Sequence, residues 1–386
     1  MKASRASDGI FHGQLLALIR LATLAPSKYN TQPWAFAIED DAVRICPDLS
    51  RRLPVADPEN RALYVSLGCA LENLLIGAAC YGLRAEVEYN LQGDKADSVL
   101  VHLTRTLTCQ GDPQLLRAIA ERQTTRGKYS GDRIAPADLR TMVEASREPG
   151  VHFGLLTHPH EVRPIFAAVR ESNRRLLADR SFLREILSWI RFTRKEAEST
   201  NDGISSTLLG LPQLPSWLAG NATRRFVVRR KLRGGEKLIQ GSAAVMVFAI
   251  DQNDPQHWIA AGRSFERVAL TASTLRIRHS HLTPACDVVQ TRIQLSSFLG
   301  FSNAETPVLL LRLGYANPLP ASLRRPVADV LAQPIGNGTI RSRRTRQSWP
   351  PSGHSVHGVH GDKLQGIRLA MEKEGLRGGA DLGSGG

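Results

Sequence analysis

The sequence predicts an α+β fold assembled from two fused half-units, and three observations carry that reading. Helix and strand signals recur in one order, helix, strands, long helix, strands, and the order restarts near Pro113. The two long helical stretches can be laid on each other, Gly68 on Gly262, Leu71 on Phe265, Leu74 on Val268 and Ala78 on Ala272. Chance alignment of two amphipathic helices is the competing account of that match. The longest mostly apolar run, Ala62 to Tyr81, carries Glu72 and Asn73 at its centre. A carboxylate there would cost about 2.5–3.5 kcal/mol in a bilayer, so the run reads as a buried helix and not a membrane span.

The elements follow in order. Gln14 to Leu24 places Leu15, Leu16, Ile19, Leu21 and Leu24 at helical spacing. Pro26 and Pro33 impose a loop. Trp34 to Ile38 and Ala42 to Ile45 read as paired strands. Asp57, Pro58 and Glu59 begin the long helix, with proline and acids early in it, and Gly82 closes it. Alternation at Val87, Tyr89 and Leu91, and at Val99, Val101 and Leu103, gives two more strands. In the second unit Pro113 to Glu121 is helical, with Arg122 to Arg126 as its end. Val151 to Thr157, Ala243 to Ile250 and Pro307 to Leu313 are strands, and Trp258 to Arg278 is the second long helix.

The units differ in spacing. About 24 residues separate Trp34 from the first long helix, against about 130 between Arg126 and Trp258. The surplus reads as an insertion, 172–233, helical around Phe182 to Glu198 and containing Leu211-Pro-Gln-Leu-Pro-Ser-Trp217. The expected organisation is a first half at 1–110, a second half at 111–333 with a lid-like insertion at 172–233, and a tail at 334–386. The tail is rich in Gly, Ser, Arg and His and holds too little apolar surface to offset the entropy of ordering, so disorder is expected.

Composition narrows the function classes. The chain is 42% hydrophobic and 22% charged, ordinary for a soluble protein, but its net charge is +14. That charge is local: 163–233 holds 15 Lys/Arg against 6 Asp/Glu, and 334–386 holds 8 against 4. No zinc-finger spacing, RNA-recognition signature or basic zipper accompanies it, so nucleic acid is not the expected partner. Cys46, Cys69, Cys80, Cys109 and Cys286 are scattered and form no C-x-x-C pair, which speaks against a disulfide framework or zinc site. The N-terminus lacks a basic stretch followed by an apolar core, and a cytoplasmic location is expected. His354, His357 and His360 are spaced by three but sit in the tail, and no metal site is expected there. Gly234-Gly-Glu-Lys237 lacks the G-x-x-x-x-G-K frame of a phosphate loop.

Three clusters carry chemistry. Ala25-Pro-Ser-Lys-Tyr-Asn-Thr-Gln-Pro-Trp34 is a rigid polar loop in which Ser27, Asn30 and Gln32 offer donors and acceptors suited to the edge of a flat heterocycle. Helix capping followed by a turn explains the same residues. Glu121-Arg-Gln-Thr-Thr-Arg126 places Arg122 and Arg126 four apart, on one side of a helical turn. Like charges so placed repel unless an anion sits between them, and a phosphate suits their fork-shaped donors, with Thr124 adding a hydroxyl. A solvated helix end is the alternative. Leu313-Gly-Tyr-Ala-Asn-Pro-Leu-Pro-Ala-Ser-Leu-Arg-Arg-Pro-Val327 is a strand end and a Pro-stiffened loop presenting Arg324 and Arg325, or simply a basic loop.

Taken together the clusters resemble the nitroreductase superfamily, in its Acg-type branch. The first resembles that branch's A-P-S-x-x-N-T-Q-P-W signature. Asp57-Pro58 with Leu63-Tyr-Val-Ser-Leu-Gly-Cys-Ala-Leu-Glu-Asn-Leu74 resembles its first long helix, Arg122 to Arg126 its R-x-T/S-x-R phosphate motif, and Arg324-Arg325-Pro-Val its closing motif. The resemblance covers about 14–332. It implies a single-chain pseudo-dimer with mixed, mainly antiparallel sheets and long central helices. It implies FMN held between the halves, with Arg122, Thr124, Arg126 and Arg324 or Arg325 on the phosphate and Ser27, Asn30 and Gln32 on the ring or ribityl chain. The implied activity is hydride transfer from NAD(P)H to nitroaromatics, quinones or similar small acceptors, with FMN binding or storage without turnover as the alternative. A monomer or weak homodimer, with no membrane partner, is expected. Two departures stand out. Lys28 and Tyr29 occupy the branch's usual Gly-His, and His279-Ser-His-Leu-Thr-Pro284 is one residue shorter than its His-x-x-x-Asn-Gln-Pro.

Overall fold

Two four-stranded antiparallel sheets, each built from a consecutive stretch of chain, share one strand order. The computed structural model describes residues 2–92, 96–209, 241–302, 305–335 and 339–341. The first stretch contains α1 (Lys2–Thr23), β1 (Trp34–Glu39), β2 (Ala42–Pro47), α2 (Arg61–Cys80), β3 (Leu83–Asn90) and β4 (Ser98–Arg105). The second begins with α3 (Pro113–Glu121), α4 (Pro136–Ala145), β5 (Val151–Leu156), α5 (Pro159–Ala178) and α6 (Arg180–Ser188). Then come β6 (Ile190–Arg191), α7 (Arg194–Thr200), β7 (Ile204–Ser205), β8 (Ala244–Ile250), α8 (Pro255–Thr274) and β9 (Arg278–His281). The chain continues through α9 (Pro284–Asp287), α10 (Val289–Leu299), β10 (Thr306–Gly314), α11 (Val327–Val330), β11 (Gln333–Ile335) and β12 (Thr339–Arg341).

The first sheet runs β1-β2-β4-β3 and the second β5-β8-β10-β9. Position by position these are the same order, with a long helix between the second and third strands of each. Every neighbouring pair in both sheets is antiparallel. The expected admixture of parallel strands is corrected to that extent. Among the described residues, parallel pairing is confined to the short β6 and β7 and to single bridges, Phe36 with Leu331 and Thr124 with His279.

The two long helices pack against each other at their glycines. A Cβ on Gly68 would overlap the Ile259 carbonyl oxygen, and one on Gly262 would overlap the Val65 carbonyl oxygen. The contacts are reciprocal, and the residues correspond in the register that sets Gly68 on Gly262. An aspartate accepts from first-turn amides of both helices, from the N-cap position in α8 and from three residues before the N-cap in α2. The Asp57 carboxylate accepts from Ala62 N and Leu63 N at 3.0 Å each, and Asp254 accepts from His257 N at 2.9 Å. Arg61–Cys80 is long and apolar enough to cross a membrane, but 83% of its apolar window is buried inside the protein.

Burial patterns explain which strands the sequence announced. In β3 buried or half-buried residues alternate with exposed ones, because its outer face meets solvent. All of β8 is buried. Met246 and Phe248 join the large central core, whereas Val245 and Val247 face a second core with Val162, Ile165 and Val169 of α5 and Leu295 of α10. Helices therefore cover the sheet's outer face.

Several boundaries move. The second long helix ends at Thr274, not Arg278, because Arg276 takes a left-handed φ of 59° and turns the chain into β9. The helical stretch expected over Phe182 to Glu198 is two helices, α6 and α7. Helices α4 and α5 were not anticipated. The tail histidines, the Gly234–Lys237 run and the Leu211–Trp217 segment lie outside the described residues.

Candidate functional site

A cavity of about 450 Å³ lies between the two stretches and the insertion. Ser27, Lys28 and Tyr29 form one wall with Ser66 and Cys69 of α2. Thr124, Arg126, Ser280, His281 and Phe265 come from the second stretch. Phe182, Ile186, Trp189 and Leu209 are insertion residues that close the cavity with Leu176 of α5. Its walls are mainly apolar with a few polar groups, the usual make-up of a small-molecule site.

The 27–32 loop is held in an unusual shape. Tyr29, Asn30 and Gln32 have φ of 54°, 56° and 51°, left-handed values that side chains rarely adopt. Hydrogen bonds hold it there. Ser27 Oγ accepts from Gln32 N at 2.9 Å. Asn30 Nδ2 donates to the Gly203 and Leu323 carbonyls at 3.0 Å each, and its Oδ1 accepts from Arg324 Nη1 at 2.9 Å. Gln32 Nε2 donates to the Asn201 carbonyl at 2.8 Å, and its Oε1 accepts from Arg325 N at 2.8 Å. Both amides are buried, so they fasten the loop to the insertion and to the C-terminal loop. Ser27 alone of the three expected residues lines the cavity.

The arginines divide in the same way. Helix α3 stops at Glu121, and 122–126 is not the helical turn expected: Thr125 N donates to the His279 carbonyl at 2.9 Å and Thr124 bridges His279. Extended backbone separates the two side chains. Arg126 lines the cavity with Thr124 and has no hydrogen bond or ion pair among the described residues. Burial pulls its pKa down. Arg122 is buried with Nε 3.2 Å from Glu266 Oε1, and its Nη2 donates to the Leu24 carbonyl at 3.3 Å. Arg324 Nη2 donates to the same carbonyl at 3.2 Å. Burial, reinforced by Arg122, lowers Arg324 to about 9, and burial pushes Glu266 up to about 7 against the pull of both arginines. Arg122 Nη1 and Arg324 Nε are buried without an acceptor among the described residues. Arg325 points elsewhere, with Nη1 3.8 Å from Asp48 and Nη2 donating to the Asp329 carbonyl at 2.7 Å.

Sequence reading missed the groups that neutralise and fasten the site. Lys28 Nζ is 2.9 Å from Asp287 Oδ2 and donates to the Ala56 carbonyl at 2.7 Å. Asp202 pairs with both Arg51 and Arg191, and both guanidiniums lie over the Trp189 ring, at 5.3 and 5.7 Å. Glu185 accepts from Val55 N at 3.1 Å and Ala56 N at 2.6 Å. These contacts tie the insertion to 48–57. Glu266 was findable: in the Gly68-on-Gly262 register it falls on Glu72, which is equally buried and pairs with Arg263 and Arg267. Burial, with Arg122 and Arg126 nearby, lowers the pKa of both His279 and His281, His281 down to about 3.

No family model matches the chain. Two Mycobacterium tuberculosis proteins are similar over most of its length. The protein named "Putative NAD(P)H nitroreductase Rv3131" is 24% identical over 327 residues, 82% of this chain and 90% of that protein. The protein named "Putative NAD(P)H nitroreductase acg" is 25% identical over 323 residues, 81% of this chain and 93% of that one. Among solved structures, a nitroreductase with bound FMN from Desulfitobacterium hafniense matches at TM-score 0.37 and 17% identity, over 56% of this chain and 95% of that one. The FMN-dependent nitroreductase NfnB of Mycobacterium smegmatis, in complex with NADPH, matches at TM-score 0.35 and 13% identity, over 53% and 88%.

Proposed function

We propose that this chain, nitroreductase-like on its Acg-type branch, is an FMN-dependent oxidoreductase that passes hydride from NAD(P)H to a small acceptor such as a nitroaromatic or quinone. The observation that carries this reading is the cavity: apolar walls from both stretches of the chain, with the Arg126 guanidinium, unpartnered among the described residues, in its lining. An isoalloxazine ring needs flat apolar surroundings, and a phosphate needs arginine donors. The donor set fits. Arg126 and Thr124 reach the cavity itself, and the orphaned Arg122 Nη1 and Arg324 Nε lie buried near Glu266. Bound FMN supplies the hydride-accepting and hydride-donating chemistry, and the protein binds, orients and desolvates it.

In this reading 1–110 and 111–333 are the two halves of a single-chain pseudo-dimer. The shared strand order and the reciprocal glycine contacts support it. One FMN per chain follows. In the Gly68-on-Gly262 register, Cys69 of the cavity corresponds to Arg263, and Thr283 to Tyr89. Arg263 is committed to Glu72 and Glu148, with Tyr89 beside it, so the corresponding second site is filled.

The closing insertion favours a second reading, FMN storage without turnover, because its Phe182, Ile186 and Trp189 line the same cavity that an acceptor would have to enter. The test is the absorbance spectrum of purified protein, followed by anaerobic NAD(P)H. Yellow protein that bleaches supports the reductase. Yellow protein that stays yellow supports storage. Protein that neither carries nor takes up FMN overturns both.

A further inference from the structure

On the far side of the Arg122–Tyr129 segment lies a second, larger concavity of about 950 Å³, lined by Lys128, Arg276, Arg278 and Tyr315. Among the described residues Glu121 is the single carboxylate in its lining, and Arg122, also in the lining, is already paired with Glu266. Lys128, Arg276 and Arg278 have no carboxylate partner among the described residues. Arg278 Nε is buried and has no acceptor among the described residues. Unpaired cations converging on a concave surface leave a site for an anion.

The backbone adds an independent observation. Arg276 holds a left-handed φ of 59° just after α8. In the Gly68-on-Gly262 register its counterpart is Gly82, at φ 68°, which makes the same turn after α2 without strain. An arginine thus stands where the turn itself asks for glycine, and its side chain is presented to the cleft. Strain of this kind, kept where a strain-free residue would serve the fold, points to a role for the side chain.

We propose that this cleft is a binding site for a phosphate-bearing ligand, separate from the flavin cavity. Lys128, Arg276 and Arg278 contact the phosphate. Tyr315, half-buried, adds an aromatic side chain to the lining, so a nucleotide fits the cleft's size as well as its charge. A concavity lined by three cations suits one compact ligand rather than a long polyanion lying across a surface.

The test is calorimetric titration of the full-length protein at low salt with 2′,5′-ADP and, separately, with inorganic phosphate. Arg276→Gly is the informative variant, because it removes the cation and relieves the turn. The site predicts that Arg276→Gly melts no lower than the parent yet binds at least about tenfold more weakly, and that Lys128→Ala also loses affinity. Tighter binding of 2′,5′-ADP than of phosphate identifies a nucleotide as the source, and equal affinity identifies free phosphate. Absence of binding by both probes overturns the proposal. So does unchanged affinity in both variants, or a loss confined to Arg126→Ala, which would place the anion in the flavin cavity.

Discussion

Arg126→Ala isolates the contribution of one guanidinium to FMN binding. The other cavity cations are occupied: Lys28 by Asp287 at 2.9 Å, and Arg312 by the Gly127 carbonyl at 2.7 Å and the Tyr129 ring at 4.1 Å. Removing Arg126 breaks no hydrogen bond or ion pair among the described residues, so the fold should keep its stability to within about 0.5 kcal/mol. A hydrogen bond to a charged group contributes about 1.5–3 kcal/mol net. At ~1.4 kcal/mol per decade, the variant should bind FMN about 10- to 100-fold more weakly. The assay is quenching of FMN fluorescence on titration with apoprotein, alongside a melting curve. Arg325→Ala is the control, since its guanidinium is spent on Asp48 and Asp329 and its loss should act on stability. Arg122→Ala is a poor substitute because it strands the buried Glu266. An unchanged Kd for folded Arg126→Ala would refute the assignment of this cavity to the phosphate.

Four further outcomes are expected. Gly262→Ala forces the long helices apart at Val65 and should cost at least about 1–3 kcal/mol, whereas Gly13→Ala, with open space around it, should not destabilise; thermal melts decide. Asp202→Asn removes the charge shared by Arg51 and Arg191 and should speed FMN release by about tenfold in a stopped-flow chase, and an unchanged rate would mean the insertion does not gate the cavity. Glu266 is raised from its ordinary value near 4.5 to about 7, so the folded state holds its proton over that window. Its contribution to stability is fully present below the lower value and is lost as pH rises through the upper one, and Glu266→Gln should flatten that part of the melting-temperature profile relative to the parent. Truncation after Arg341, beyond β12, should leave melting and flavin content unaltered, whereas truncation before Leu331 should not, because Leu331 bridges Phe36 and Ala332 N donates to the Phe36 carbonyl at 2.8 Å.

What the sequence disclosed depended on how each residue meets solvent. Val87 and Tyr89 announced β3 because one face of that strand is open. Helix α5 went unread although Val162, Ile165 and Val169 repeat at helical spacing, because Pro159 and the internal Pro164 speak against a helix there. The second long helix reads on to Arg278 in the sequence, and β9 stays unseen, because the turn that separates them is made by Arg276 and not by glycine. The polar loop at 25–34 was legible as a motif, but its orientation was not. Nothing local tells Asn30 and Gln32 to turn toward Gly203, Asn201 and Arg325, which lie far along the chain. The R-x-T-x-R spacing likewise cannot say that Glu266 awaits Arg122 while Arg126 goes free. Long-range charge pairing is settled by topology.

The close approach of Gly68 to Gly262 also bears on how the chain can be made. The partner of α2 lies 194 positions later, and α2 is nearly all apolar. At about 5–20 residues per second, a ribosome needs roughly 10–40 s to deliver it. Throughout that interval α2 has no α8 to pack on, and its sticky face is open to other nascent chains. Such a protein should depend on chaperone capacity, and overexpression without it should yield inclusion bodies rich in full-length chain. The same geometry should let the gene be cut between Arg105 and Pro113, with the two pieces recovering a folded complex only when co-expressed.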